Sequence, residues 1–76
     1  MTPRLPRITA AEVIRALEQI GFAFARQSGS HKIYRNSDGK RVTIPFHGGK
    51  ILHPKILSSI IRDADLTAAE FQKLLE

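Results

Sequence analysis

Between Phe22 and Pro45 the chain gives up the three-to-four-residue spacing of apolar positions found on either side of it. Arg41-Val42-Thr43-Ile44-Pro45 alternates, placing Val42 and Ile44 on one face of an extended segment and Arg41 and Thr43 on the other. Two further extended segments precede it, Phe22-Ala23-Phe24-Ala25-Arg26 and His31-Lys32-Ile33-Tyr34-Arg35. Ser28-Gly29-Ser30 breaks the first from the second, and Asn36-Ser37-Asp38-Gly39 supplies dense turn chemistry before the third. Pro45 has no N–H to give a ladder, so the third strand ends there or lies at an edge. Such alternation suits an antiparallel sheet with one face covered and the other wet.

Helical spacing flanks this segment. Thr9-Ala10-Ala11-Glu12 is a capping box, with Ile8 and Val13 at the staple positions around it. Val13, Ala16, Leu17 and Ile20 then share a face, and Gly21 is a left-handed stop, which predicts a helix over about 10–20. After the loop His47-Gly48-Gly49-Lys50, Pro54 fits the first turn of a second helix striped by Ile56, Leu57, Ile60, Ile61 and Ala64. A second box, Thr67-Ala68-Ala69-Glu70, opens a short terminal helix carrying Phe71, Leu74 and Leu75. The surroundings of the two boxes differ, so the same cap is used twice rather than a unit repeated.

With 76 residues, folding buries only about 60% of the unfolded chain's surface, enough for a single domain over 1–76 with one modest core. That leaves no interior for a cofactor, and none is expected. The helices must then share one sheet face. The expected fold is α+β, helix, three-stranded antiparallel sheet, helix and short helix, which is the layout of a double-stranded-RNA-binding domain. There is no cysteine, which excludes disulfides, thiolate metal sites and a cysteine nucleophile. The segment Met1–Arg7 lacks the apolar stretch of a signal peptide, and no apolar run approaches the ~20 residues of a membrane span. A cytoplasmic protein is the default expectation.

Lysine and arginine number 12 against 7 acids, and the excess is concentrated in the middle. Residues 22–57 hold Arg26, Lys32, Arg35, Lys40, Arg41, Lys50 and Lys55 against Asp38 alone. A solvated face would account for some of that charge; its confinement to one stretch points to a polyanion. His31 opens the second strand inside this stretch. An imidazole titrates near ~6.5 when unperturbed, so it can take up and return a proton at neutral pH. RNA carries its own nucleophile, the 2′-hydroxyl beside each phosphodiester. Cleaving it requires little beyond a positioned acid or base and cations on the phosphate, and no metal is called for. A histidine at a surface turn satisfies the same spacing, and spacing alone leaves both readings open.

Three segments carry a family resemblance: Gly29-Ser30-His31-Lys32-Ile33-Tyr34-Arg35, Val42-Thr43-Ile44-Pro45-Phe46-His47, and Pro54 through Ala64. Together they resemble the HicA toxin family, from the first helix to the terminal one, with Gly-Ser-His before an aromatic as the most specific piece. The resemblance implies a double-stranded-RNA-binding-like fold, an mRNA interferase activity, His31 as the catalytic histidine and a HicB antitoxin as blocking partner. On this reading Arg26, Lys32, Arg35 and Lys50 hold the RNA backbone, and Ser30 orients His31 or the phosphate. The rival is a module of the same fold that binds RNA without cutting it. A third reading is an interaction protein whose basic face meets only an acidic partner.

Other candidates are weaker. His47 with Gly48, Gly49 and Lys50 could present N–H groups and a cation to a phosphate, though a glycine pair is commonly only a flexible connection. His53 before Pro54 reads as a residue of the helix start. His31, His47 and His53 contain no tight ligand pair for zinc. Tyr34 and Phe46 could stack on bases, but a core this small needs its aromatics for packing first.

Overall fold

The computed structural model describes residues 6–76. Met1–Leu5, part of the segment read above for a signal peptide, lies outside the described residues. The elements run α1 (Ala10–Glu18), β1 (Ala23–Ser28), β2 (His31–Arg35), β3 (Arg41–Pro45), α2 (Pro54–Asp63) and α3 (Ala68–Leu74). The three strands form one antiparallel sheet in the order β1-β2-β3. The helices pack together on one side of it, α2 against β3 and α3, and α1 against α3. This is the expected α+β arrangement, with the element order of a double-stranded-RNA-binding domain. Among the described residues no helix is long and apolar enough to cross a membrane.

Both capping boxes form. The Thr9 hydroxyl accepts from Glu12 N–H while Glu12 Oε1 accepts from Thr9 N–H at 3.1 Å, and Thr67 and Glu70 repeat the exchange. α1 stops at Glu18 rather than at residue 20 because its last turn tightens. Gly21 N–H reaches the Glu18 carbonyl and Phe22 N–H the Leu17 carbonyl, with Gly21 at φ +95°. These paired bonds are the Schellman closure, and its apolar contact is supplied by Phe22 and Leu17, both in the core. Phe22 therefore enters the core, and β1 begins one residue later than its sequence suggests, running on to Ser28. Ile20, beyond the helix end, is left exposed.

α2 ends in the same closure without a glycine. Asp65 N–H bonds the Arg62 carbonyl and Leu66 N–H the Ile61 carbonyl, while Asp65 itself takes φ +63°. At its start, Pro54 occupies the first turn and His53 is the cap, Nδ1 accepting from Lys55 N–H at 3.0 Å. The core is one cluster in which Leu17, Val42, Ile44, Leu57, Ile60 and Phe71 are almost wholly enclosed. Of the stripe expected on α2, Ile56 stays exposed, because it turns toward the loop before the helix rather than the sheet.

Candidate nucleic-acid interface

The sheet sorts the basic residues between its two faces. Tyr34 pairs with Val42 and Lys32 with Ile44, and Tyr34, Val42 and Ile44 belong to the core. Lys32 and Tyr34 therefore point to the helices, and His31, Ile33 and Arg35 to the open face. Opposite partners share a face, so the open side carries three rows: Ser28–His31–Pro45, Arg26–Ile33–Thr43 and Ala23–Arg35–Arg41. A bulge between Phe24 and Arg26 makes this possible. The one extra residue shifts the parity of β1, so that Arg26 and Ser28 join His31 rather than the helix side.

His31 is exposed on this face, as are Arg26, Arg35 and Arg41. Ile33 sits at the centre of the face, only 7% exposed although it lies outside the core cluster. The register places no carboxylate on the open face, and the two ion pairs of the described residues, Lys40–Asp65 and Arg62–Asp63, lie elsewhere.

The hairpin turn fixes where the imidazole stands. Ser28 and His31 pair directly, leaving Gly29-Ser30 as a two-residue turn. Gly29 has φ +58° and Ser30 is not left-handed, the pattern of a II′ turn, which matches strand twist and needs glycine first. The Ser30 carbonyl then accepts from Phe46 N–H at 2.7 Å. That bond binds the turn to the strand on its other side, so His31 starts its strand anchored between both neighbours.

The remaining candidates are placed differently. Lys32 is half-buried on the helix side, its Nζ 3.8 Å from the centroid of the Phe46 ring. Ser30 stands in the turn beside His31. Lys50 is in the loop after β3, where it lines a cleft of about 220 Å³ with His47, His53 and Ile56. Pro45, the partner of His31, lines the same cleft and links Lys50 to the imidazole. Tyr34 is 5% exposed and serves the core, and its phenol is pushed above its ordinary value by burial first and by the Glu18 carboxylate second. Phe24, 53% exposed and edge-on to Tyr34 at 5.7 Å, is the aromatic that faces solvent. No group of three or more histidine, aspartate or glutamate side chains among the described residues is positioned to hold a metal ion.

Arg41 and Thr43 were not singled out by sequence reasoning, yet they share the open face with His31. The signal was present: alternation sets them apart from Val42 and Ile44, and the turn length fixes which strand-two residues they oppose. An exposed imidazole among guanidinium groups, with no acid competing for them, is equipped to hold a phosphodiester and move a proton beside it.

Comparison with known families gives a match. Residues 10–66 match the family described as HicA toxin of bacterial toxin-antitoxin, a span covering α1, the whole sheet and α2. No curated protein matches the chain.

Proposed function

Since the chain belongs to the HicA toxin family, the toxin half of a toxin–antitoxin system with a cognate antitoxin as partner, we propose that it is a metal-independent endoribonuclease acting on messenger RNA in the cytoplasm. The observation that carries this reading is the position of His31, exposed on a sheet face that also presents Arg26, Arg35 and Arg41.

The chemistry follows from the substrate's own 2′-hydroxyl. His31 accepts the hydroxyl proton as the 2′-oxygen attacks the adjacent phosphorus. The bond from phosphorus to the 5′-oxygen breaks, and that oxygen takes a proton from the imidazolium or from water. The products are a 2′,3′-cyclic phosphate and a 5′-hydroxyl end. Guanidinium groups hold non-bridging oxygens by forked hydrogen bonds and stabilise the charge that builds up on them. Arg26 serves that role on the open face, Arg35 holds the RNA backbone farther along the same face, and Ser30 stands beside the imidazole, with Lys50 reached along the chain past Pro45. An acidic antitoxin surface laid over these cations would close off His31.

The test is cleavage of a single-stranded RNA by the purified protein with chelator present, with the product ends identified. The wild-type protein is expected to yield cyclic phosphate ends. His31→Ala is expected to lose 10²–10⁴-fold in rate while still binding RNA, since an exposed side chain contributes little to the core. Undiminished cutting by that variant overturns the role of His31. Binding without scission by the wild type favours a non-catalytic RNA-binding module.

A further inference from the structure

The β2–β3 ladder holds an arrangement that folding alone does not account for. Asn36 N–H bonds the Lys40 carbonyl at one end, and Phe46 N–H bonds the Ser30 carbonyl at the other. Hydrogen-bonded and non-hydrogen-bonded pairs alternate in an antiparallel ladder. Counting inward from either end makes Arg35–Arg41, Ile33–Thr43 and His31–Pro45 the non-hydrogen-bonded pairs. These are the close pairs, with Cα atoms about 4.5 Å apart and side chains side by side. Two arginines thus stand directly opposed at the tightest spacing a sheet offers, where like charges are unfavourable.

Among the described residues no acid is paired against this opposition. Both arginines are exposed, and neither guanidinium has a hydrogen bond or ion pair with another described residue. Asp38, the acid of the adjoining turn, pairs with neither. The neighbouring Lys40 pairs instead with Asp65, 3.7 Å away, toward the helical side. Two unneutralised guanidinium groups on side chains rooted at opposed positions suit one anion with several acceptor oxygens.

We propose that Arg35 and Arg41 form a second phosphate seat, which holds the RNA strand away from the cut. This rests on the reading of the open face as the RNA surface and extends it to a residue that the reading did not use. Arg35, the half of the seat on β2, and His31 lie on one face of that strand, four residues apart, or about 13 Å at strand rise. That length holds about four stacked nucleotides at about 3.4 Å each, and fewer when the strand is extended. Ile33 and Thr43 occupy the floor between. A strand lying along β2 would put one phosphate at His31 and a later one in the fork of Arg35 and Arg41.

The experiment compares a dinucleotide, which reaches only His31, with an eight-nucleotide single strand. The proteins are the wild type, Arg35→Gln, Arg41→Gln, the double variant, Arg41→Lys, and Lys73→Gln on α3 as a charge control. Arg41→Gln is expected to raise KM for the longer strand several-fold with kcat unchanged and to leave dinucleotide cleavage alone, and the double variant to raise that KM about 10-fold. Binding is measured in the His31→Ala background, where the log–log salt slope should shrink by about 0.7 for the lost phosphate contact. Arg41→Gln should melt at the wild-type temperature or above, since it removes a repulsion, and Arg41→Lys should show an intermediate KM. Lys73→Gln should match the wild type.

The possible outcomes separate the two readings. Cleavage of the longer strand that is indifferent to both arginines overturns the seat and leaves the role of His31 intact. RNA binding that depends on the arginines without any scission upholds the seat and overturns the catalytic reading. A variant that unfolds assigns the pair a structural role and overturns the seat. Binding of polyglutamate through these arginines, with no RNA affinity, assigns the face to an acidic protein and overturns both.

Discussion

The Lys32 ammonium rests 3.8 Å from the centroid of the Phe46 ring, on the side of the sheet opposite His31. The two are diagonal neighbours across β2 and β3, since Phe46 bonds Ser30, two residues before Lys32. A sequence neighbour of the imidazole is thereby committed to packing. Lys32→Met, which keeps the stem and removes the charge, is expected to lower stability by about 0.5–1 kcal/mol. RNA cleavage should change less than twofold, in contrast to Arg26→Gln, which should raise KM several-fold. Denaturant midpoints and cleavage kinetics on both variants check this.

Gly29 is the second lever on His31. Its φ of +58° belongs to the turn, and a methyl group added there would meet no atom within 4 Å. Any cost of Gly29→Ala is therefore conformational, expected at about 1–2 kcal/mol. Because the turn sets the start of β2, cleavage should fall as well, through kcat more than KM. Wild-type kcat in a folded Gly29→Ala protein would show that the turn does not position the imidazole.

His53 acts at a different place, closing the N-terminus of α2 through Nδ1. His53→Ala removes the acceptor for Lys55 N–H and should cost about 1 kcal/mol. His53→Asp should restore that loss or exceed it, since aspartate is a preferred cap and its charge suits the helix start. Thermal unfolding of the three proteins orders them. Equal melting of wild type and His53→Ala would mean the cap contributes nothing.

Tyr34 gives the fold an alkaline limit. Burial, and then Glu18, raise its phenol above the ordinary value of 10.0. Below that value the phenol is neutral in folded and unfolded chains alike, and the stability is fully present. As pH climbs past it, the unfolded chain releases the proton first, so stability declines until the folded phenol ionises too. Tyr34→Phe should flatten this decline in urea titrations between neutral pH and pH 11. An identical slope in both proteins would assign the alkaline loss to other groups.

Most of the architecture was legible in the sequence because local signals agreed with one another. Thr9 with Glu12 and Thr67 with Glu70 formed the caps their spacing implies, and Val42 with Ile44 faced inward as alternation required. The misses fell where a tertiary contact overrode local pattern. Phe22 has strand character, but the Schellman closure after Gly21 takes it into the core. The sorting of the cations was the harder problem. Alternation separates His31 from Lys32, but it does not say which of them meets the helices until Tyr34 is found in the core. The bulge in β1 leaves no mark in composition, yet it alone brings Arg26 round to the imidazole. Arg41 was visible as a charge; its meaning lay in being opposite Arg35.

β2 is the middle strand, flanked on both edges, while β1 and β3 each keep a free outer side. Backbone amides along β2 should exchange with solvent only when the whole domain opens, and those on the outer side of β1 by local fraying. The imidazole is thus carried by the strand with neighbours on both edges, and Arg26 and Arg41 by the two outer strands. On the proposed reading, movement of those outer strands around a fixed imidazole would let the face take RNA strands of different shape.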